Sequence, residues 1–349
     1  MSYFRKNIEA MPPYVPGEQP APGSRVIKLN TNENPYPPSP AVSAVLRDFD
    51  LERLRMYSDP NSRAFCQAAA AALGVGADWV LAGNGSDDLL AMIVLACAEP
   101  GRKVVYPMPT YVLYRTLAQM QDADILEVPY SDDYELPLEQ LIAARGCVTF
   151  LARPNSPSGT CPPLEQVRKL AQVGGLVVVD EAYTDFAQDS ALELARELPN
   201  VVVLRTLSKG YSLAGLRLGF AVGNPALLGM LNKVKDSYPV DAIACAVGAA
   251  AVADHAHKSE NARKVMASRM RLSADLAAMG FRVWPSQANF LLVQPGDGAS
   301  ARSLYEGLKA RGILIRYFAQ ARLDDKLRIT VGRDDQNGEL VAALRELVR

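Results

Sequence analysis

From Trp79 onward the chain alternates short, nearly continuous apolar runs with stretches in which apolar residues recur at helical spacing. The runs Trp79–Gly83, Lys103–Tyr106, Ile125–Val128, Val148–Leu151, Leu176–Val179, Val201–Leu204 and Arg217–Val222 predict strands. Between several of them, Asp87–Ala98, Thr110–Met120 and Pro163–Val173 predict helices. Strands apolar on both faces and separated by helices argue for a mostly parallel sheet covered on both sides. After Asn224 the pattern is helical to about Ala278. Strands at Phe281–Trp284 and Asn289–Val293, a helix at Ser300–Arg311, strands at Ile313–Arg316 and Leu327–Val331 and a last helix follow. That order predicts a smaller α+β unit.

The expected class is therefore α/β, a large domain over residues 41–250 and a small C-terminal domain over 251–349. A chain of 349 residues exceeds what one core usually holds, roughly 250–300 residues. Residues 1–40 carry prolines at 12, 13, 16, 20, 22, 35, 37, 38 and 40. Such density forbids a long helix and predicts an extended arm, taken as part of the small domain.

Charge narrows the ligand. Lys plus Arg number 37 against 38 Asp plus Glu, so nothing along the chain attracts nucleic acid or an anionic membrane. Cys66, Cys97, Cys147, Cys161 and Cys245 are scattered and without a C-x-x-C pair. They read as free thiols in a reducing, cytoplasmic compartment. No apolar run is long enough to span a bilayer, and no signal peptide opens the chain. His255 and His257 are the two histidines, without an acidic or thiol cluster beside them. They read as a solvated helix end, which leaves catalysis to other groups and no metal site.

Ligands of open parallel sheets bind beyond the carboxyl ends of the strands. After Leu81 comes Ala82-Gly83-Asn84-Gly85-Ser86-Asp87-Asp88, glycines opening a helix, whose free N–H groups suit a phosphate; a capped turn would explain the motif as well. After Val179 comes Asp180-Glu181-Ala182-Tyr183, two acids that need partners if they end a buried strand. After Leu204 comes Arg205-Thr206-Leu207-Ser208-Lys209-Gly210, then Ala214-Gly215-Leu216-Arg217. A lysine at a strand mouth in apolar and hydroxyl-rich company can act as an amine nucleophile. Asp180 before it and Arg217 after it separate Lys209 from an ordinary surface lysine.

The ordered set resembles the fold-type-I pyridoxal-phosphate aminotransferases, and among them the histidinol-phosphate aminotransferases. The matching stretches are Leu29–Pro35, Tyr57–Pro60, Gly85–Asp87, Pro109–Tyr111, Pro154–Gly159, Val179–Tyr183, Thr206–Lys209, Ala214–Arg217 and Leu327–Gly332. The resemblance implies that Lys209 holds pyridoxal phosphate as a Schiff base and then moves the proton. Asp180 would face the pyridine nitrogen, Tyr183 the phenolic oxygen, and Tyr111 the ring face. Gly85, Ser86, Asp87, Ser208 and Arg217 would hold the phosphate, and Tyr57 would reach that of a neighbouring subunit in a homodimer. Asn32, Tyr14, Arg316 and Arg328 would serve the substrate, the arginines gripping the phosphate of histidinol phosphate, with 2-oxoglutarate and glutamate as the other pair. One departure stands out: the family's Asn-Asn-Pro-Thr-Gly reads Asn155-Ser156-Pro157-Ser158-Gly159 here. The contact to the phenolic oxygen is expected from Asn155 after a backbone shift, or else from Ser156. Aromatic amino-acid aminotransferases, threonine-phosphate decarboxylases and a non-catalytic ligand sensor built on the same fold are the rival readings.

Overall fold

The computed structural model describes residues 2–13, 17–20, 23 and 25–348. The arm contributes a first strand, β1 (Ile27–Lys28). The main sheet then uses β2 (Val80–Gly83), β3 (Lys103–Met108), β4 (Asp124–Pro129), β5 (Val148–Ala152), β6 (Leu176–Asp180), β7 (Val201–Thr206) and β8 (Gly219–Gly223). Its order is β2-β8-β7-β6-β5-β3-β4. The strands are parallel except at β8, which runs antiparallel to both of its neighbours. The carboxyl ends of the other strands therefore lie at one edge, and the amino end of β8 lies among them.

The continuous apolar runs have a direct cause. Val178, Val202 and Leu204 pack on one face of the sheet with Leu89, Ile93 and Tyr114. Val177, Val179, Val201 and Val203 pack on the other with Leu151, Val167 and Leu194. Successive strand residues point to opposite faces, so a strand covered on both sides must be apolar throughout. Each such side chain contributes roughly 1.5–3 kcal/mol of burial.

A second sheet holds β9 (Arg282–Val283), β10 (Phe290–Gln294), β12 (Arg316–Tyr317) and β13 (Leu327–Thr330), in the order β12-β13-β10-β9, all antiparallel. A separate short strand, β11 (Ile313–Leu314), pairs in parallel with β1. The arm thus joins this second unit, and Leu29 enters its core beside Leu291, Ile315 and Ile329.

Three sequence expectations change in detail. The single strand expected over Ile313–Arg316 is β11 and β12, because the chain switches partner at the buried Ile315. The strand expected from Arg217 begins at Gly219, since Arg217 adopts a left-handed conformation at φ 53°. The long helical stretch is broken into helices Pro225–Leu231, Ala242–Ala253 and His255–Ala278. Asp241 accepts from Ala244 N at 2.7 Å and Asp254 from His257 N at 3.2 Å, each a side-chain cap that starts a new helix. Among the described residues no helix is long and apolar enough to cross a membrane.

Candidate active site

The carboxyl edge of the main sheet gathers most of the predicted residues. Asp180 is the last residue of β6 and is 5% exposed. Its Oδ2 accepts a hydrogen bond from the hydroxyl of Tyr114 at 2.7 Å, and its Oδ1 accepts from Ala182 N at 3.2 Å. Burial pushes its carboxyl up to about 6, against the pull of those two donors. Glu181, the next residue, is also buried but is tied elsewhere. Its carboxylate accepts from Arg205 Nε and Ser190 Oγ at 2.9 Å each, and from Ala191 N. Arg153 N donates to Asp180 O at 2.8 Å, and its guanidinium pairs with Asp189 at 2.6 Å. The two acids at the strand end thus divide their work: Glu181 pins the loop, and Asp180 faces the site.

Lys209 follows β7 and is half-buried, its Nζ donating to Thr31 O at 3.1 Å and lying 5.7 Å from the centre of the Tyr183 ring. The Tyr183 hydroxyl accepts from Asn32 Nδ2 at 3.0 Å. Asn32 is itself held in a left-handed conformation, φ 59°. Its backbone N donates to Thr330 Oγ1 and its Oδ1 accepts from the same hydroxyl, both at 3.0 Å. β13 and the arm therefore orient the tyrosine beside the lysine.

A third group lies at the start of helix Ser86–Cys97. Gly85 caps that helix without a side chain, at φ 86°, so no side-chain bond occupies the first N–H groups. Arg217 Nη2 lies 3.2 Å from Asp87 Oδ2, and its Nη1 is 3.4 Å from Ser208 Oγ. The crowding here is severe. A Cβ on Gly85 would lie 2.6 Å from Arg217 Nη2, and one on Gly219 would lie 2.5 Å from Ser86 N. Tyr111 donates to Asp87 Oδ1 at 3.0 Å. These are the ingredients of an anion cradle: a free helix N-terminus, a guanidinium and two hydroxyls.

Arg316 and Arg328 are direct partners across β12 and β13. The two guanidinium carbons lie 5.2 and 5.5 Å from the centre of the Phe318 ring. Arg328 also donates to Ser156 Oγ at 3.1 Å and Asn30 O at 2.9 Å. Asn155 is fully buried and committed within its own loop. Its Oδ1 accepts from Thr110, and its Nδ2 donates to Pro109 O and Ser158 Oγ. Its backbone is likewise tied to Thr160 and Gly159, so Ser156 is the residue of that pair that meets Arg328.

One predicted residue of the described chain stands apart. Tyr57 is 83% exposed and stacks on Tyr238, with ring centres 4.4 Å apart. Tyr14 lies outside the described residues. The sequence reading missed Tyr114 and Phe318, although each had a signal. Tyr114 follows Tyr111 at the helical spacing of three, and Phe318 follows Arg316 at the strand spacing of two.

The set fits pyridoxal phosphate on the residues' own chemistry. The cradle would take a phosphate, a cationic ring nitrogen would relieve the buried Asp180 carboxylate, and Lys209 would offer an amine to an aldehyde. Comparison with known proteins agrees. The family model "Aminotransferase class I and II" matches residues 24–344. The chain is 61% identical to histidinol-phosphate aminotransferase 1 of Trichormus variabilis, across 100% of this chain and 99% of that one. It is 42% identical to the histidinol-phosphate aminotransferase of Citrifermentans bemidjiense, across 99% of both. Among solved structures, the histidinol-phosphate aminotransferase of Sinorhizobium meliloti in complex with pyridoxal-5'-phosphate superposes with a TM-score of 0.91 at 31% identity, covering 100% of this chain and 98% of that one.

Proposed function

Because the chain belongs to the class I and II aminotransferases, and among them to the histidinol-phosphate aminotransferases, we propose that it exchanges the amino group of histidinol phosphate with 2-oxoglutarate. It is a transaminase that uses pyridoxal 5'-phosphate. A homodimer in the cytoplasm is the form we assign to it.

The observation that carries the substrate reading is the placement of Arg316 directly across from Arg328 on antiparallel strands. Like charges opposite one another in a sheet repel. A phosphate dianion between two guanidinium forks removes that repulsion and accepts charge-assisted hydrogen bonds from both. An aromatic side chain offers them no such bonds. Histidinol phosphate lacks a carboxylate, so its phosphate is the group left to anchor, and Tyr14 would close over it. In the return half-reaction a carboxylate of 2-oxoglutarate takes the same place.

Pyridoxal phosphate, when bound, supplies an electron-withdrawing ring that stabilises negative charge on the carbon bearing the amine. Lys209 would carry it, then take the proton from that carbon and pass it to the cofactor carbon that first held the aldehyde. Asp180, as a carboxylate, would hold a proton on the ring nitrogen. Tyr183, turned by Asn32, would donate to the phenolic oxygen, and Tyr111 would cover the ring. Gly85, Ser86, Asp87, Ser208 and Arg217 would hold the phosphate end. Asn155 would shape the loop that presents Ser156 beside Arg328.

Arg316→Gln tests the substrate reading. Loss of one charged hydrogen bond is worth roughly 1.5–3 kcal/mol, so KM for histidinol phosphate should rise about ten- to hundredfold, far more than KM for the monoanionic phenylalanine. An equal rise for both substrates would make Arg316 a structural residue and remove the argument.

A further inference from the structure

Tyr114 is fully buried and held by three other rings. It stacks on Phe150 with centres 4.9 Å apart and planes 10° from parallel. It meets Tyr111 edge-on at 5.7 Å and Tyr106 at 5.9 Å. With the ring so fixed, its hydroxyl has one partner among the described residues, Asp180 Oδ2 at 2.7 Å. The other donor to that carboxylate is the backbone N–H of Ala182.

We propose that Tyr114 is a positioning residue of the aminotransfer reaction, holding the Asp180 carboxylate ionised and fixed in orientation toward the ring nitrogen of the cofactor. The proposal rests on Asp180 being the partner of that nitrogen. A buried carboxylate takes up a proton unless hydrogen-bond donors or cations hold its charge. A neutral Asp180 could not keep the ring nitrogen protonated by its charge. Two negative neighbours press it toward neutrality, Asp87 on helix Ser86–Cys97 and the adjoining Glu181. Each of these is answered by its own arginine, Asp87 by Arg217 and Glu181 by Arg205. Tyr114, on helix Leu113–Met120, is the side chain that answers Asp180 itself. Burial and the facing carboxylate drive the ionisation of Tyr114 far upward, so it remains a donor throughout the working pH range.

The test is Tyr114→Phe, which keeps the ring and its packing and removes one oxygen. Three properties of the cofactor-loaded enzyme are read: kcat and KM, the dissociation constant of pyridoxal phosphate by fluorescence quenching, and the pH at which the visible absorption band changes. We expect kcat to fall roughly ten- to hundredfold, as for a charged hydrogen bond. KM for the amine donor should change less than about threefold, the dissociation constant should rise, and the absorption transition should shift by about one pH unit. In an Asp180→Asn background the same change should add nothing further, because the two residues act through one contact. Unchanged kcat and absorption in Tyr114→Phe, or effects that add in full to those of Asp180→Asn, would overturn the proposal. Normal turnover in Asp180→Asn alone would instead sink the role of Asp180, and the proposal with it. If the Phe variant does not fold, Tyr114→His retains a ring N–H donor. Its kcat should stay within about tenfold of wild type, and a larger loss in a folded His variant counts against the proposal.

Discussion

Asp180 ends a strand whose other residues are all apolar, and its buried carboxylate carries a folding cost that a cationic ring nitrogen would relieve. Burial raises it to about 6, above the ordinary carboxylate value of about 4. An acid raised in this way destabilises the folded chain when ionised. The cost is full above about pH 6 and disappears as the pH falls toward about 4. Cofactor-free Asp180→Asn should therefore be more stable than wild type at pH 8, by up to about 3 kcal/mol, and the gap should close near pH 4. In the loaded enzyme the same substitution should cost at least about a hundredfold in turnover, or about 3 kcal/mol. Thermal melts of the cofactor-free proteins across pH, with kcat of the loaded ones, check both halves. A mutant less stable at pH 8, or one with near-normal turnover, contradicts the account. At this scale the acid pair Asp180-Glu181 was legible as polar groups at the end of an apolar strand. Which of the two faced the site was not legible from burial logic, because that depended on Arg205 and Tyr114, which lie far from the pair in sequence.

The elements meet where β8 enters the sheet backwards. Gly219 pairs with Gly83 on one side and Thr206 on the other, and the missing side chain lets Ser86 N approach. Gly219→Ala should push the helix start away from Arg217. We expect the dissociation constant of pyridoxal phosphate to rise at least about tenfold, with a loss of roughly 1–3 kcal/mol of stability from overpacking. Gly229→Ala is the control, since nothing lies within 4 Å of its would-be Cβ in helix Pro225–Leu231. It should leave cofactor binding unchanged and stabilise by about 0.4–1 kcal/mol. Equal cofactor binding by the Gly219 variant and the control would show that the close approach is not needed. The inner strands of the main sheet were legible because both faces are buried, which writes the same apolar signal along most of each strand. β1 was not. Two residues, Ile27 and Lys28, carry no periodicity, and their extended form comes from β11, nearly the whole chain away. The break at Ile315 was hidden for a similar reason, since an apolar run does not record a change of partner.

Across the whole molecule, one motif remains outside the site that the single chain builds. Tyr57 and Tyr238 stack at the surface, and Leu51, Leu54 and Met56, just before Tyr57 in the chain, are exposed as well, apolar residues of the kind that mark an interaction surface. A second copy seated there would bring Tyr57 to the neighbour's phosphate cradle. Mixing inactive Lys209→Ala with Tyr57→Phe subunits should then produce heterodimers with one intact composite site and activity above either parent. No gain despite demonstrated subunit exchange would refute site sharing. What the assembled enzyme accepts is read from a single assay. The purified, cofactor-loaded protein is assayed for kcat/KM with histidinol phosphate, phenylalanine and threonine phosphate, each with 2-oxoglutarate. Histidinol phosphate should exceed phenylalanine by at least about tenfold, the value of one charged hydrogen bond at Arg316, and decarboxylation of threonine phosphate should not be the main reaction. Phenylalanine turned over as well as histidinol phosphate, or decarboxylation of threonine phosphate as the main reaction, would contradict the proposed function.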